Sequence, residues 1–119
     1  MASERLRVAV VGSRDFPSSD IVERFVYMLP RDVIVVSGGA RGVDSWAEAT
    51  AKHWRRDTDI YKADWAKHGK VAGFVRNNTI VKNCDIVVAF LHNGSKGTKH
   101  TISLAKYFGK PCYVVRTKA

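Results

Sequence analysis

The stretch VVSGGARGVDSWAEA, residues 35–49, decides the fold because a run of apolar residues passes through glycines directly into a helical pattern. The opening valines do not alternate with polar residues, which is typical of a strand covered on both faces. Residues 37–39 interrupt this run, and Val43, Ala47 and Ala51 then recur at helical spacing. A buried strand that turns straight into a helix is the repeating unit of parallel α/β sheets.

The same alternation continues on both sides of this stretch. Short apolar runs predict strands at residues 6–11, 33–36, 59–61, 86–91 and 112–115. Between the strands, four stripes of mostly apolar residues at helical spacing predict four helices with inward faces. The first face is Ile21, Phe25, Met28 and Leu29, and the second is Val43, Trp46, Ala47, Ala51 and Trp54. The third is Val71, Phe74, Val75 and Asn78, and the fourth is Thr98, Thr101, Ile102, Ala105 and Phe108. Asp20 with Glu23 predicts a capping box on the first helix. We therefore expect one α/β domain over residues 1–119, a Rossmann-like doubly wound sheet of about five parallel strands with helices on both faces.

Composition limits the classes of function. The 119 residues are 45% hydrophobic, which is enough for a core and argues against disorder. The net charge of +9 suits a polyanionic partner or a phosphorylated ligand, although a solvated basic surface gives the same count. No CxxC pair occurs and the histidines are scattered, so we expect neither a metal site nor a cofactor. We see no long apolar segment and expect a cytoplasmic protein without membrane contact.

Glycine, hydroxyl and cationic residues cluster after the first, second and fourth predicted strands. In a doubly wound sheet, ligands bind beyond the carboxyl ends of the strands, where helix N-termini present unpaired N–H groups to anions. We therefore predict a phosphate-binding site, to which Arg76 belongs because a planar guanidinium suits phosphate. The predicted ligand-binding residues are Gly12, Ser13, Arg14, Ser37, Gly38, Gly39, Arg41, Gly42, Asp44, Arg76, Asn77, Gly94, Ser95, Gly97 and Thr98.

Several of these residues allow a second interpretation. The glycines also suit close packing of a strand against a helix. Asp44 either complements the positive end of a helix or accepts a hydrogen bond from a ribose hydroxyl. Trp65 either stacks on a base or covers the start of a helix, and we expect the latter. Neither GxGxxG nor GxxxxGK[ST] occurs, so the dinucleotide fingerprint and the P-loop are both absent.

Four ordered motifs carry a family resemblance that covers almost the whole chain. They are GSRDF at residues 12–16, SGGARGVDSWA at 37–47, ADWAKHGKVAGFVRN at 63–77 and NGSKGTKHTISLA at 93–105. In this combination the sequence resembles the YspA-like branch of the SLOG superfamily, whose members are frequent in bacterial and phage genomes. These are small Rossmann-like domains related to the LOG phosphoribohydrolases and to the DNA-processing protein DprA. The resemblance implies a nucleotide-derived ligand and a tendency to oligomerise.

The two groups of relatives imply different chemistry. LOG enzymes cleave the N-glycosidic bond of nucleoside monophosphates with a GGxGTxxE-type motif and an arginine. Gly97 and Thr98 match that motif and Arg76 is the best candidate for a catalytic residue, but Thr101 stands where the catalytic Glu is expected. Without the carboxylate, an oxocarbenium-like transition state lacks its stabilising charge, so the sequence leaves enzymatic activity undecided. DprA has similar SGxARGxD and RN motifs and binds single-stranded DNA.

The main expectation is a domain that binds a nucleotide or nucleotide-derived phosphorylated ligand at the carboxyl edge of the sheet, as a sensor or processing domain. Two alternatives remain beside it: a nucleoside 5′-monophosphate phosphoribohydrolase-like enzyme, and a single-stranded nucleic-acid-binding module of the DprA type. We also expect a homo-oligomer that packs through apolar helix residues, notably Phe74 and Phe108.

Overall fold

The computed structural model describes residues 5–117, in which strands and helices alternate along the chain. The strands are β1 (Arg7–Gly12), β2 (Ile34–Ser37), β3 (Thr58–Ile60), β4 (Ile86–Leu91) and β5 (Cys112–Arg116). The helices are α1 (Ser19–Met28), α2 (Val43–His53), α3 (Trp65–His68), α4 (Ala72–Lys82) and α5 (Lys96–Tyr107), with a 3₁₀ turn at Gly69–Val71. Each predicted strand is present to within one residue at either end. The predicted third helix is divided into α3, the 3₁₀ turn and α4.

The five strands form one parallel sheet in the order β3-β2-β1-β4-β5. β1 lies in the centre, and Val10 is in register with Val88 of β4. The chain builds outward from β1 through β2 to β3, and then returns to the other side of β1 to form β4. This arrangement is the predicted Rossmann-like doubly wound sheet. Its switch point lies between the carboxyl ends of β1 and β4, where a ligand site is expected.

Both faces of the sheet are covered, which explains why its strands lack alternation. On one face the side chains of Val10, Val35 and Phe90 form a buried cluster with apolar residues of α1 and α2. On the other face Ala9, Val36 and Val87 form a second cluster with α4 and α5. None of the helices within residues 5–117 is long and apolar enough to span a membrane.

The predicted inner face of α1 is only partly right: Phe25 and Leu29 pack against the core, but Ile21 and Met28 do not. Ile21 and Met28 are 48% and 75% exposed, whereas Val22 and Val26 are fully buried. The predicted capping box is also absent, because the side chain of Ser18 caps the helix by accepting a hydrogen bond from the backbone N–H of Ile21. Val22 and Val26 lie one turn apart and face the sheet together.

The predicted inner face of α4 is wrong. Val71 and Phe74 are 53% and 47% exposed, while Ala72, Ile80 and Val81 are buried. Val71 lies in the 3₁₀ turn before α4, and the buried side of the helix also includes the polar residue Asn77, which a search for an apolar stripe passes over. Trp65, expected to cover the start of a helix, does contact the start of α4 at Gly73, but it is 54% exposed and is not a core residue.

Candidate functional site

A cavity of about 440 Å³ opens at the switch point, between the carboxyl ends of β1 and β4 and the first turns of α2 and α5. This volume lies in the range of small-ligand sites. Eight of the predicted ligand-binding residues line it: Gly12, Arg14, Asp44, Arg76, Asn77, Ser95, Gly97 and Thr98. A larger and more open depression of about 660 Å³ lies between α1 and α2, away from these strand ends. We assign the site to the switch point because the helix N-termini converge there.

Two predicted hydroxyl ligands serve the scaffold of the site instead. Ser13 is fully buried; its N–H donates to the carbonyl of Phe90 at 3.0 Å, and its Oγ accepts from the N–H of His92 at 2.9 Å. These bonds hold the loops after β1 and β4 together. Ser37 is also fully buried and donates its hydroxyl to the carbonyl of Val10 at 2.6 Å. Both hydroxyls are therefore occupied within the sheet.

Arg76 reaches from α4 across the end of β2. Its Nη1 donates to the carbonyl of Gly38 at 2.7 Å, and its Nε donates to Oδ1 of Asn77 at 2.9 Å. A Cβ atom on Gly38 would lie 2.7 Å from that Nη1 and 2.8 Å from Oδ2 of Asp44. Gly38 is therefore required because a side chain there would occupy the space in which Arg76 and Asp44 approach each other.

Asp44 is a buried carboxyl group in the first turn of α2, only 4% exposed. Burial raises the pKa of Asp44 to about 6. Arg76 and several backbone N–H groups lower it by a smaller amount, and one of these, the N–H of Ala40, lies 3.4 Å from Oδ2 of Asp44. The pKa of Arg76 is in turn lowered by burial, while Asp44 raises it and Arg14 lowers it. The cavity floor thus contains a coupled pair of opposite charges, with Arg14 nearby.

The raised pKa of Asp44 predicts a pH-dependent stability. The ordinary pKa is 3.8, so between that value and about 6 the folded protein holds a proton that the unfolded chain has lost. Binding of this proton stabilises the folded protein. The stabilisation is fully present below the ordinary pKa and is lost as the pH rises through about 6. A shift of about 2 pKa units corresponds to about 3 kcal/mol. We expect the free energy of unfolding of the wild type to fall by about this amount relative to that of Asp44→Asn between about pH 4 and about pH 8.

Urea unfolding of the two proteins across this pH range measures the effect. Comparison with Asp44→Asn removes the contributions of groups that both chains share, among them Asp59, whose pKa is lowered chiefly by its hydrogen bond with Arg7. A difference between the two proteins that does not change with pH would show that Asp44 titrates normally.

The first turn of α5 faces the cavity. The first helical hydrogen bond runs from the N–H of Lys99 to the carbonyl of Ser95 at 3.0 Å, so the N–H groups before Lys99 have no partner within the helix. In the described residues no side chain caps this turn. Asn77 positions the turn from α4, because its Nδ2 donates to the carbonyl of Gly97 at 3.3 Å. The mid-helix asparagine is thereby explained: it is 94% buried and connects two helices. Exposed N–H groups at the positive end of a helix are suited to an anion.

The remaining predicted residues lie outside the main cavity. Arg41 and Gly94 are exposed and do not line it. Gly38 and Gly39 line a smaller adjoining cavity. Gly42 packs against the backbone of Arg14 and serves the turn into α2. The predicted ligand set left out nine residues that line the main cavity: Val11, Asp15, Ala40, Trp65, Lys70, Gly73, Phe74, Lys96 and Thr101.

Thr101 occupies the position at which the LOG motif has its catalytic Glu. Its side chain is buried, lines the cavity and donates to the carbonyl of Gly97 at 3.2 Å. A hydroxyl that is held in this way supplies no negative charge to a developing oxocarbenium ion. Among the described residues, the carboxylates that line the cavity are Asp15 and Asp44.

Comparison with known proteins agrees with this fold. A family model for DNA recombination-mediator protein A matches residues 1–59, just under half of the chain. Gene 61 protein of Mycobacterium phage D29 is 34% identical over 115 residues, an alignment that covers 88% of this chain and 92% of the phage protein. The chain therefore belongs to the same family as this phage protein, as a DprA-related domain of the SLOG superfamily.

Two solved structures have the same fold. DNA processing protein A from Helicobacter pylori, whose structure was determined for its single-stranded DNA binding mode, superposes with a TM-score of 0.74 at 21% identity, over 95% of this chain and 66% of that one. DprA from Streptococcus pneumoniae superposes with a TM-score of 0.64 at 19% identity, over 93% of this chain and 59% of that one. The chain thus spans less than two thirds of the length of either structure.

Proposed function

We propose that the domain binds single-stranded DNA at the switch-point cavity. The observation that carries this proposal is the lining of the cavity, in which exposed aromatic rings lie beside cations and an uncapped helix N-terminus. Trp65 and Phe74 are 54% and 47% exposed. The cations that line the cavity are Arg14, Lys70, Arg76 and Lys96. Proteins that bind single strands without sequence preference combine these two features, a basic groove for the backbone and aromatic rings for the bases.

The phosphate is assigned to the first turn of α5. Backbone N–H groups at residues 96–98 provide donors, and Lys96 adds a positive charge at the rim. Arg76 projects a guanidinium from the opposite wall, suited to phosphate oxygens. The buried Asp44 opposes this positive field, and its raised pKa reduces the fraction of protein that carries this negative charge near neutral pH.

The bases are assigned to the aromatic side chains at the cavity mouth. Phe74 already has an aromatic neighbour on one face, because its ring centroid lies 4.5 Å from that of His100. Its remaining exposed surface, together with Trp65, offers stacking area worth about 1–3 kcal/mol per base. In duplex DNA the bases are stacked on one another and cannot reach these rings, so the proposal predicts a preference for single strands.

The H. pylori structure supports the ligand class, since it was determined for the single-stranded DNA binding mode of that protein. The net charge of +9 fits the same class of partner. Neither point locates the binding site, so the test has to address the cavity.

The salt dependence of binding provides that test. We expect the wild type to bind a labelled oligothymidylate of about 20 nucleotides more tightly than a duplex of the same length. Lys70→Gln/Lys96→Gln should reduce the magnitude of the slope of log affinity against log salt by roughly 1.4, because each phosphate contact on a single strand contributes roughly 0.7. Fluorescence anisotropy between about 50 and about 200 mM salt measures both results.

Lys52→Gln/Lys106→Gln is the matched control. It changes the net charge equally, but Lys52 and Lys106 lie in the last turns of α2 and α5, at the opposite edge of the sheet. Equal losses of slope in the two double variants would mean that DNA is attracted by overall charge and not by the cavity. Absence of binding by the wild type at low salt would refute the proposal itself.

A free nucleotide is the second candidate ligand. The volume of about 440 Å³ favours it, since a cavity of this size accommodates a mononucleotide. Thymidine monophosphate added to the anisotropy assay separates the two ligands. Competition at micromolar concentration supports the free nucleotide, whereas competition only by longer strands supports DNA.

A further inference from the structure

Trp65 lies at a partition between two adjoining cavities. The main cavity of about 440 Å³ and a smaller one of about 190 Å³ at the end of β2 share four lining residues: Arg14, Ala40, Trp65 and Arg76. An exposed aromatic ring with a pocket on either side offers two faces for stacking. The two arginines contribute positive charge to both sides of the same partition.

The position of Trp65 is fixed by local structure. It is the first residue of α3, and Asp64 is the N-cap of that helix. Oδ1 of Asp64 accepts a hydrogen bond from the N–H of Lys67 at 3.0 Å. The indole leans over α4 at Gly73, where an added Cβ would lie 3.7 Å from its ring. The contact involves only Cη2 at the edge of the ring, so α4 touches the edge of the indole and Trp65 as a whole stays 54% exposed.

The smaller cavity has its own cation. Lys62 lines it, and the stem of Lys62 passes over Gly39, with Cγ 3.0 Å from the position that a Cβ on Gly39 would occupy. Lys62 does not line the main cavity. A second phosphate would thus meet a positive charge that a single bound nucleotide does not contact.

We propose that the site holds two consecutive nucleotides of single-stranded DNA, with the Trp65 indole stacked between their bases. The phosphodiester that joins the two nucleotides lies beside Arg14 and Arg76, which line both cavities. Lys62 contacts the other phosphate of the dinucleotide, which belongs to the nucleotide in the smaller cavity. This proposal rests on the proposed function and deepens it, because it defines the smallest ligand that occupies the whole site.

Oligothymidylates from one nucleotide to about four, titrated by anisotropy competition, test the proposal. We expect the largest gain in affinity between one and two nucleotides, by about tenfold or more. Trp65→Leu should remove that gain and Trp65→Phe should retain most of it. Trp54→Leu, an exposed tryptophan of the α1–α2 surface, should leave it unchanged. Lys62→Gln should weaken the dinucleotide but not the mononucleotide.

Tryptophan fluorescence gives an independent measurement. Stacking on a base should quench the indole, so the quenching caused by dinucleotide should persist in Trp54→Leu and disappear in Trp65→Leu. Thermal unfolding establishes that Trp65→Leu is folded. If the wild type binds long oligothymidylate but Trp65→Leu binds each length as tightly as the wild type does, the two-nucleotide site is wrong while the proposed function stands. If the wild type binds no oligothymidylate, the proposed function fails first.

Discussion

Replacing Gly42 by alanine is expected to lower the free energy of unfolding by about 4 kcal/mol or more, enough to unfold much of the population. Gly42 caps α2 with φ 78° and ψ −128°, a conformation that residues with a side chain rarely adopt. A Cβ would also lie 2.5 Å from the carbonyl oxygen of Arg14 and 2.7 Å from its Cα. Both atoms are backbone, so the clash cannot be relieved by rotating a side chain.

Three other glycines separate the effect of the positive φ from that of the clash between the added Cβ and the backbone. Gly12→Ala meets the carbonyl oxygen of Phe90 at 2.5 Å without a positive φ, whereas Gly109→Ala has φ 69° in open space. Gly97→Ala has neither problem and serves as the neutral reference. Urea unfolding should rank Gly42→Ala as the most destabilising and Gly97→Ala within about 1 kcal/mol of the wild type. Similar values for Gly42→Ala and Gly109→Ala would mean that contact with Arg14 does not matter.

The strands could be predicted from sequence because a strand buried on both faces has a continuous apolar run. The run at residues 86–91 matches β4 in full, and the others are displaced by a single residue. Glycines such as Gly38 and Gly42 likewise indicated that the chain turns sharply after β2. These features depend on local composition, which a single sequence contains.

The inner faces of α2 and α5 were predicted correctly at most positions, whereas those of α1 and α4 were not, because these two helices have apolar residues on more than one side. On α1 and α4 several apolar residues face solvent, and Phe74 is one of them. The oligomer expected through Phe74 and Phe108 stays a prediction, although Phe108 is half buried against the α4–α5 core. The structure instead places Phe74 at the mouth of the cavity.

The site residues that were missed belong to segments that are far apart in sequence. Trp65 and Lys70 follow β3, at the edge of the sheet, and the route of the chain across the ends of β2 and β1 brings them to the cavity. The contact between Arg76 and the Gly38 carbonyl spans 38 positions of sequence. Such contacts follow from the packing of α4 on the sheet and have no local signature.

Replacing Arg76 by methionine should have the largest effect on the site. The change keeps much of the apolar stem but removes the donor to the Gly38 carbonyl and the positive charge facing Asp44. The buried carboxylate of Asp44 would then lose the opposing positive charge of the partly buried Arg76, which destabilises the ionised form of Asp44. We expect the free energy of unfolding at about pH 8 to fall by about 3 kcal/mol and the affinity for oligothymidylate to fall at least about tenfold.

Asp44→Asn in the same chain separates the structural role of Arg76 from its contact with DNA. In the double variant no buried negative charge is left without a partner, so we expect Arg76→Met to cost only about 1 kcal/mol in the Asp44→Asn background. The loss of oligothymidylate affinity should persist there, because no guanidinium remains to meet the phosphate. At about pH 4, where Asp44 is protonated, the coupling in stability should vanish. Recovery of DNA binding together with stability would instead show that Arg76 acts on DNA only by keeping the cavity folded.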